Sequence, residues 1–281
     1  MSRLAVELLL GANRMFPAPA LPGDADPMEY AAWEYRNSVS LAALWEPVRR
    51  RRPRRALDVG CGLGGKTRRL ADSSPDTAWT ALDLRVAHLR QAALYHQRVG
   101  PAGIPKVAAD VIALPFAAGT FDAIVTSDTL EHFPEPRRAL GELRRCLHPE
   151  GRLVLQFNPW GSPRGSHLGD LLRLPWCQSF ASRETLVAAA LTAGERRAGG
   201  APAEEAKRIR DYSRTLVDHF RNDVFTVRIR DFRSWIREDG LFRIESEIRM
   251  RPGPLRHASF LGAARFEEWM TAAYGAVLAP L

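Results

Sequence analysis

The sequence predicts a doubly wound α/β fold, a parallel sheet with helices on both faces, and three observations carry that expectation. Short apolar runs alternate with helical stretches from Ala56 to Phe157, the pattern of repeated βαβ units. The first run, Ala56-Leu57-Asp58-Val59, breaks into Gly60-Cys61-Gly62-Leu63-Gly64-Gly65 before a helix opens. About 20 residues further on, a second run, Thr80-Ala81-Leu82-Asp83-Leu84, closes around an acid.

Five core strands are expected in order: Ala56 to Val59, Thr80 to Leu84, Lys106 to Ala109, Phe121 to Thr126 and Gly151 to Phe157. Leu57 and Val59 suit a strand covered on both faces. The glycines of the turn allow tight backbone turning and the close approach of a ligand where a Cβ would clash. Lys66-Thr67-Arg68-Arg69-Leu70 continues as a helix whose unpaired N–H groups and positive dipole end face the turn. The spacing Gly60-x-Gly62-x-x-Gly65 satisfies a dinucleotide pattern, and Asp83 is placed to accept ribose hydroxyls. Those two features fit more than one cofactor.

Three further features discriminate. Asp58 stands two residues before the first glycine, where a nicotinamide-binding fold usually has an apolar residue. Asp110 sits in Ala109 to Phe116, and the strand Phe121 to Val125 follows after a short loop. Leu143 to Leu155 reads as a helix, a turn at Pro149-Glu150-Gly151 and a strand. With these residues, Ala56 to Phe157 resembles the class I S-adenosylmethionine-dependent methyltransferases, especially the branch that includes many small-molecule and quinone-methylating enzymes.

The resemblance implies a Rossmann-like seven-stranded sheet and S-adenosyl-L-methionine as cofactor. It implies that Asp58 and the turn through Gly60, Cys61, Gly62 and Gly64 hold the methionine end, and that Asp83, with Leu84 beside it, takes the ribose. Asp110 would bond the adenine amino group while the Val111 amide meets the ring. Ser127 and Asp128, at the end of the fourth strand, would border the methyl group and the substrate. Two of these acids have a second reading, Asp110 as a turn cap and Asp128 as an N-cap for Thr129 to Phe133.

Residues 1–55 read as an N-terminal arm and helical cover. Met28 to Val48 carries Tyr30, Trp33, Tyr35, Leu41, Leu44 and Trp45 at helical spacings, and Pro17 to Pro27 reads as a loop. Arg36 is a candidate partner for the cofactor carboxylate, since a guanidinium fork suits that group; the alternative is an exposed arginine on a helix. Residues 56–158 form the expected cofactor-binding core.

After the fifth strand, residues 159–222 read as an inserted cap or lid. Pro159 to Trp176 mixes hinge residues with aromatics, and helices are expected over Ser182 to Ala193 and Pro202 to Arg221. An apolar acceptor would suit Trp160, Leu171, Leu172, Trp176 and Phe180, unless these form the core of the cap itself. Residues 223–281 would complete the sheet: a helix within Thr226 to Gly240, then strands at Phe242 to Arg249 and Leu255 to Gly262.

A methyl already activated on a sulfonium needs chiefly an aligned acceptor and the exclusion of water. A base is needed only if the acceptor must lose a proton early, and histidine suits that task near neutral pH. His167 is the first candidate and His132 the second; each has a plain structural alternative, a hydrogen-bonded loop residue or part of the packing.

Composition adds bounds. The 281 residues are ample for a buried core, and no apolar stretch approaches the ~18 residues of a membrane span. The Leu4 to Leu10 run is too short for an expected signal peptide. Cys61, Cys146 and Cys177 show neither a disulfide framework nor a metal site, so no metal and a cytoplasmic setting are expected.

A net charge of +8 raises the question of nucleic acid. Only Lys66, Lys106 and Lys207 among the 40 basic residues are lysines, a skew that resembles codon bias in a GC-rich genome. The run Arg49-Arg50-Arg51-Arg52-Pro53-Arg54-Arg55 reads as a solvated helix end and loop rather than a phosphate-binding patch. The expected partner is a small, partly apolar metabolite methylated on O, N or C. An RNA or protein acceptor, or a non-catalytic cofactor-binding role, remains the alternative.

Overall fold

The computed structural model describes residues 3–16, 26–100, 103–251 and 267–281. Two compact units are present: residues 25–157, 229–249 and 274–281 form the sheet unit, and residues 1–24, 158–228 and 250–273 form the helical unit.

The sheet unit begins with two covering helices, α2 (Pro27–Asn37) and α3 (Val39–Arg49); α1 (Arg3–Asn13) precedes them in the helical unit. Asp26 caps α2 by accepting from the Met28 amide, and Pro27 occupies a position where a missing N–H costs nothing. The chain then alternates β1 (Arg55–Val59), α4 (Gly65–Ser73), β2 (Ala78–Asp83), α5 (Val86–Val99), β3 (Lys106–Ala108), β4 (Phe121–Ser127), α6 (Pro136–Cys146) and β5 (Leu147–Phe157).

The sheet order is β3-β2-β1-β4-β5-β7-β6, the last two being β6 (Phe242–Met250) and β7 (Ala273–Pro280). β1 pairs parallel with β2 and β4, with Asp58 opposite Ala81 and Val125, while β7 runs antiparallel to β5 with Ala276 opposite Leu155. The order reverses at β1, so the carboxyl ends of β1, β2 and β4 converge where doubly wound sheets place their ligands. α3 supplies Leu41, Leu44, Trp45 and Val48 to a core with Ala56, Ala81, Val125 and Val154. α10 (Ile229–Asp239) adds Phe232, whose ring packs 5.6 Å from Phe157 and 5.7 Å from Tyr274.

The final strand corrects the sequence reading. It is Ala273–Pro280, whereas Leu255 to Gly262 lies outside the described residues. Three alanines, a glycine and a proline give this segment weak strand propensity, and its pairing with β5 overrides that. Most of the expected Pro17 to Pro27 loop also lies outside the described residues.

The helical unit holds α1, α7 (Cys177–Phe180), α8 (Arg183–Ala198) and α9 (Ala203–Asn222), the last two close to the helices expected over Ser182 to Ala193 and Pro202 to Arg221. Ser182 caps α8 by accepting from the Thr185 amide. Val6, Leu9 and Leu10 of α1 join Trp160, Leu171, Leu172, Val217 and Phe220 in one core. Thus α1 packs on α8 and belongs to the helical unit, whereas residues 1–55 are expected from the sequence as one arm and cover. Asn13 ties this core together by donating to the Leu171 carbonyl at 2.9 Å and accepting from the Leu174 amide. Among the described residues no helix is long and apolar enough to cross a membrane.

Candidate functional site

The turn after β1 is anchored to β2 by its own backbone. The Gly60 and Cys61 amides both donate to the Leu82 carbonyl, at 2.8 and 2.9 Å, and the Gly62 amide donates to Asp83 Oδ2 at 2.9 Å. Asp83 Oδ1 accepts from the Arg85 amide at 2.8 Å and lies 3.3 Å from His88 Nδ1. Burial alone would raise the Asp83 pKa. His88 and the two amides outweigh burial and hold it below the ordinary carboxylate range. Asp83 is therefore a charged acceptor on the rim of the turn.

Two glycines explain the turn's composition. Gly64 has φ +83°, and a Cβ there would meet His96 Nε2 at 2.7 Å and Ala92 Cβ at 2.9 Å. Gly62 has φ +53° and nothing within 4 Å of its would-be Cβ. Packing thus demands the first glycine, whereas the second opens a cradle that a side chain would fill.

Beneath the turn, Asp58 is buried and accepts from Thr67 Oγ1 at 2.5 Å. Burial pushes its pKa up to about 6 against the opposing pulls of Thr67 and Lys66. His96, also buried, donates from Nε2 to the Gly64 carbonyl at 2.8 Å, while its Nδ1 faces Lys106 Nζ at 3.2 Å. Burial holds His96 down to about 4, so it is a neutral support for the turn. Sequence reasoning missed Thr67, Lys66 and His96. The first two were adjacent to the glycines, but His96 carries no local signal because α5 brings it back to the turn.

At the end of β4, Asp128 adopts φ +56° and donates its amide to the Gln156 carbonyl at 2.9 Å. Its carboxylate accepts from Lys66 Nζ at 2.5 Å and from Gln156 Nε2 at 3.2 Å. Lys66 also lies 3.7 Å from Glu34. Burial would lower the Lys66 pKa, but the Asp128 and Glu34 carboxylates hold it above its ordinary value. Asp128 is not an N-cap, since the helical turn Leu130–His132 starts after Thr129. Ser127 Oγ lies 3.4 Å from Asp128 Oδ2.

The remaining candidates are more dispersed. Asp110 accepts from the Ile112 amide at 3.1 Å, which is the turn-capping geometry, and remains exposed, with Val111 buried beside it. Leu84 is 68% exposed beyond Asp83. Burial pushes the Cys61 thiol up, which leaves it a packing residue rather than a nucleophile. Arg36 is exposed in the last turn of α2, where its charge acts on Tyr95 alongside those of Arg68 and Asp72. His132 ends the helical turn after β4 and is half-buried.

His167 belongs to the helical unit, at φ +56° with its ring 6.3 Å from that of His219. His219 in turn lies 3.1 Å from Asp223. Trp160, Leu171 and Leu172, candidates for an acceptor wall, are buried in that unit's core. Trp176 stacks on Trp269 at 5.9 Å, and Phe180 is 68% exposed.

Comparison with known proteins places the same region. Residues 57–155 match the family model described as a methyltransferase domain. An uncharacterized methyltransferase of Mycobacterium sp. strain JLS is 32% identical over 140 residues, 49% of this chain and 53% of that protein. The demethylmenaquinone methyltransferase of Thermus thermophilus is 34% identical over 117 residues, 41% of this chain and 51% of that protein. The chain spans about half the length of these relatives. A crystal structure of a Pyrococcus horikoshii protein shares the fold, with a TM-score of 0.55 at 18% identity over 93% of this chain and 97% of that one. The glycine turn, its charged rim and the matched sequence agree: residues 57–155 are a methyltransferase domain, similar to those of the class I S-adenosylmethionine-dependent enzymes.

Proposed function

We propose that the chain transfers a methyl group from S-adenosyl-L-methionine to an O, N or C nucleophile of a small, partly apolar metabolite. The observation that carries the cofactor assignment is the open space at Gly62 beside a charged Asp83. A ribose needs an acceptor of that kind at the end of the second strand. The name of the Thermus relative, a demethylmenaquinone methyltransferase, favours a small acceptor.

In this reading Asp83 accepts the ribose hydroxyls, and Leu84 lies against the same end of the nucleoside. The turn from Gly60 to Gly64, braced from below by Asp58 and Thr67, holds the methionine end. Asp110, with one oxygen held by the Ile112 amide, presents the other to the adenine amino group, and the Val111 amide meets the ring. Ser127 and Asp128 border the reacting centre, where Lys66 and Gln156 fix the carboxylate of Asp128. Arg36 and Lys66 are the two cations proposed to balance the cofactor carboxylate, Lys66 being the half-buried one.

The cofactor supplies an activated methyl, so the chain's task is alignment and desolvation rather than bond activation. For a hydroxyl acceptor, His167 or His132 would take the proton from the oxygen as it attacks. An amine or carbon acceptor could dispense with both.

The test is incubation of the protein with methyl-labelled S-adenosylmethionine and a cell extract separated into organic-soluble, protein and nucleic-acid fractions. Label in the organic fraction is expected. Label in RNA or protein would replace the small-molecule acceptor with a polymer, and cofactor binding with no label in any fraction would favour a non-catalytic role.

A further inference from the structure

At the opposite end of the sheet from the glycine turn lies a cleft of about 570 Å³, and the arginine run before β1 forms one wall of it. The volume falls in the range of small-molecule sites. Arg51, Arg52 and Arg54 face Arg152 and Arg243 across it, and the carboxylates in the lining are Asp122 and Glu150.

This wall is anchored. The Arg51 and Arg52 amides donate to the Val48 and Arg49 carbonyls, and Arg52 takes φ +54° as the helix unwinds. The Pro53 carbonyl accepts from Thr77 Oγ1 at 2.8 Å. Asp122 Oδ2 accepts from the Arg54 and Arg55 amides at 2.8 and 2.9 Å, which engages this acid with backbone rather than with a guanidinium. Opposite, Arg152 is largely buried and forks onto Glu245 at 2.7 and 2.8 Å.

Charge around the cleft is unbalanced. Glu245 is shared among Arg51, Arg152 and Arg243. Among the described residues, the side chains of Arg52 and Arg54 have no carboxylate partner. Arginine forks are suited to the several oxygens of a phosphate chain, and a concave site favours a compact ligand over a flat surface.

We propose that this cleft binds an oligophosphate group, carried by inorganic polyphosphate or by a nucleoside polyphosphate. The site is separate from the methyl-transfer end, about 17 Å away along the five residues of β1 at the rise of a strand. It reassigns the arginine run from a solvated loop to one wall of a binding site.

The experiment is calorimetric titration of tripolyphosphate and of ATP, at fixed salt, into the full chain and three variants. These are Arg52→Gln/Arg54→Gln, Arg243→Gln, and an Arg90→Gln/Arg98→Gln control on α5 with the same net charge as the first. S-adenosylhomocysteine affinity, measured in parallel, reports that each variant is folded.

Saturable binding of tripolyphosphate is expected, weakened tenfold or more by Arg52→Gln/Arg54→Gln, severalfold by Arg243→Gln and not by the control. Equal affinities for ATP and tripolyphosphate would identify the phosphate chain as the ligand. Tighter ATP binding would identify a nucleoside-bearing one. Absence of saturable binding, or equal weakening in the control, overturns the proposal. So does binding confined to long RNA with a steep salt dependence.

Discussion

The two ends of the one sheet are built on opposite principles. At the carboxyl ends of β1, β2 and β4, Asp58, Asp83 and Asp128 are each held by hydroxyl, amide or ammonium donors around a glycine turn. At the amino ends, arginines outnumber carboxylates around an open cleft, and backbone amides engage the carboxylate of Asp122. The first end is tightly packed at Gly64 and around Asp58, and substitution at those positions should be costly. At the second, Arg52 and Arg54 are exposed and have no carboxylate partner among the described residues, so their charges can serve a ligand without supporting the fold.

The sharpest way to break this contrast is at Gly64. A Cβ there collides with His96 and Ala92 at a left-handed φ, so Gly64→Ala should lose roughly 2–4 kcal/mol of stability in urea unfolding. A loss below about 0.5 kcal/mol, the scale of an ordinary surface change, would mean that the turn is not held by packing.

The pH dependence of stability sharpens the comparison further, because two buried groups at the turn oppose each other. Asp58, raised to about 6 in the fold, contributes stability that is fully present below its unfolded pKa near 3.8 and is lost as pH rises through 6. His96, lowered to about 4, contributes stability present above its unfolded pKa near 6.5 and lost as pH falls through 4. Each amounts to about 3 kcal/mol, with opposite sign between pH 4 and 6. Relative to the parent, Asp58→Asn should therefore become progressively less stable as pH falls from 6 to 4, and His96→Gln progressively more stable. Parallel stability–pH curves for parent and variants would contradict both assignments.

A smaller effect is expected at the rim. Asp83→Ala should weaken S-adenosylhomocysteine binding by about 1–3 kcal/mol, the loss of a charged hydrogen-bond acceptor. Unchanged affinity in a folded variant would remove Asp83 from the ribose role. Least of all, Arg52→Gln/Arg54→Gln should change stability by no more than about 0.5 kcal/mol, since no carboxylate pairs with either side chain among the described residues. A larger loss in thermal unfolding would make the arginine wall part of the fold and end the contrast.

Much of the carboxyl end was legible because its chemistry is local in sequence. A strand, a glycine turn and a helix are contiguous from Ala56 to Leu70, and Asp83 closes the next strand. The supports were not legible. His96 reaches the Gly64 carbonyl only through the return of α5, and Gln156 reaches Asp128 only through the β4–β5 pairing. The arginine cleft was hidden for the same reason: Arg49 to Arg55 is a visible run, but Arg152 and Arg243 join it through the sheet order. At β7, pairing with β5 sets a strand where the residues themselves speak weakly for one.

The central claim is that the open space at Gly62 is the cofactor cradle, and Gly62→Ala addresses it most directly. No atom lies within 4 Å of the added Cβ, so the variant should remain folded, with only the modest strain of a left-handed alanine, about 1 kcal/mol. Calorimetric titration with S-adenosylhomocysteine should show affinity reduced tenfold or more. A folded Gly62→Ala protein that binds as tightly as the parent would place the cofactor elsewhere and contradict the account.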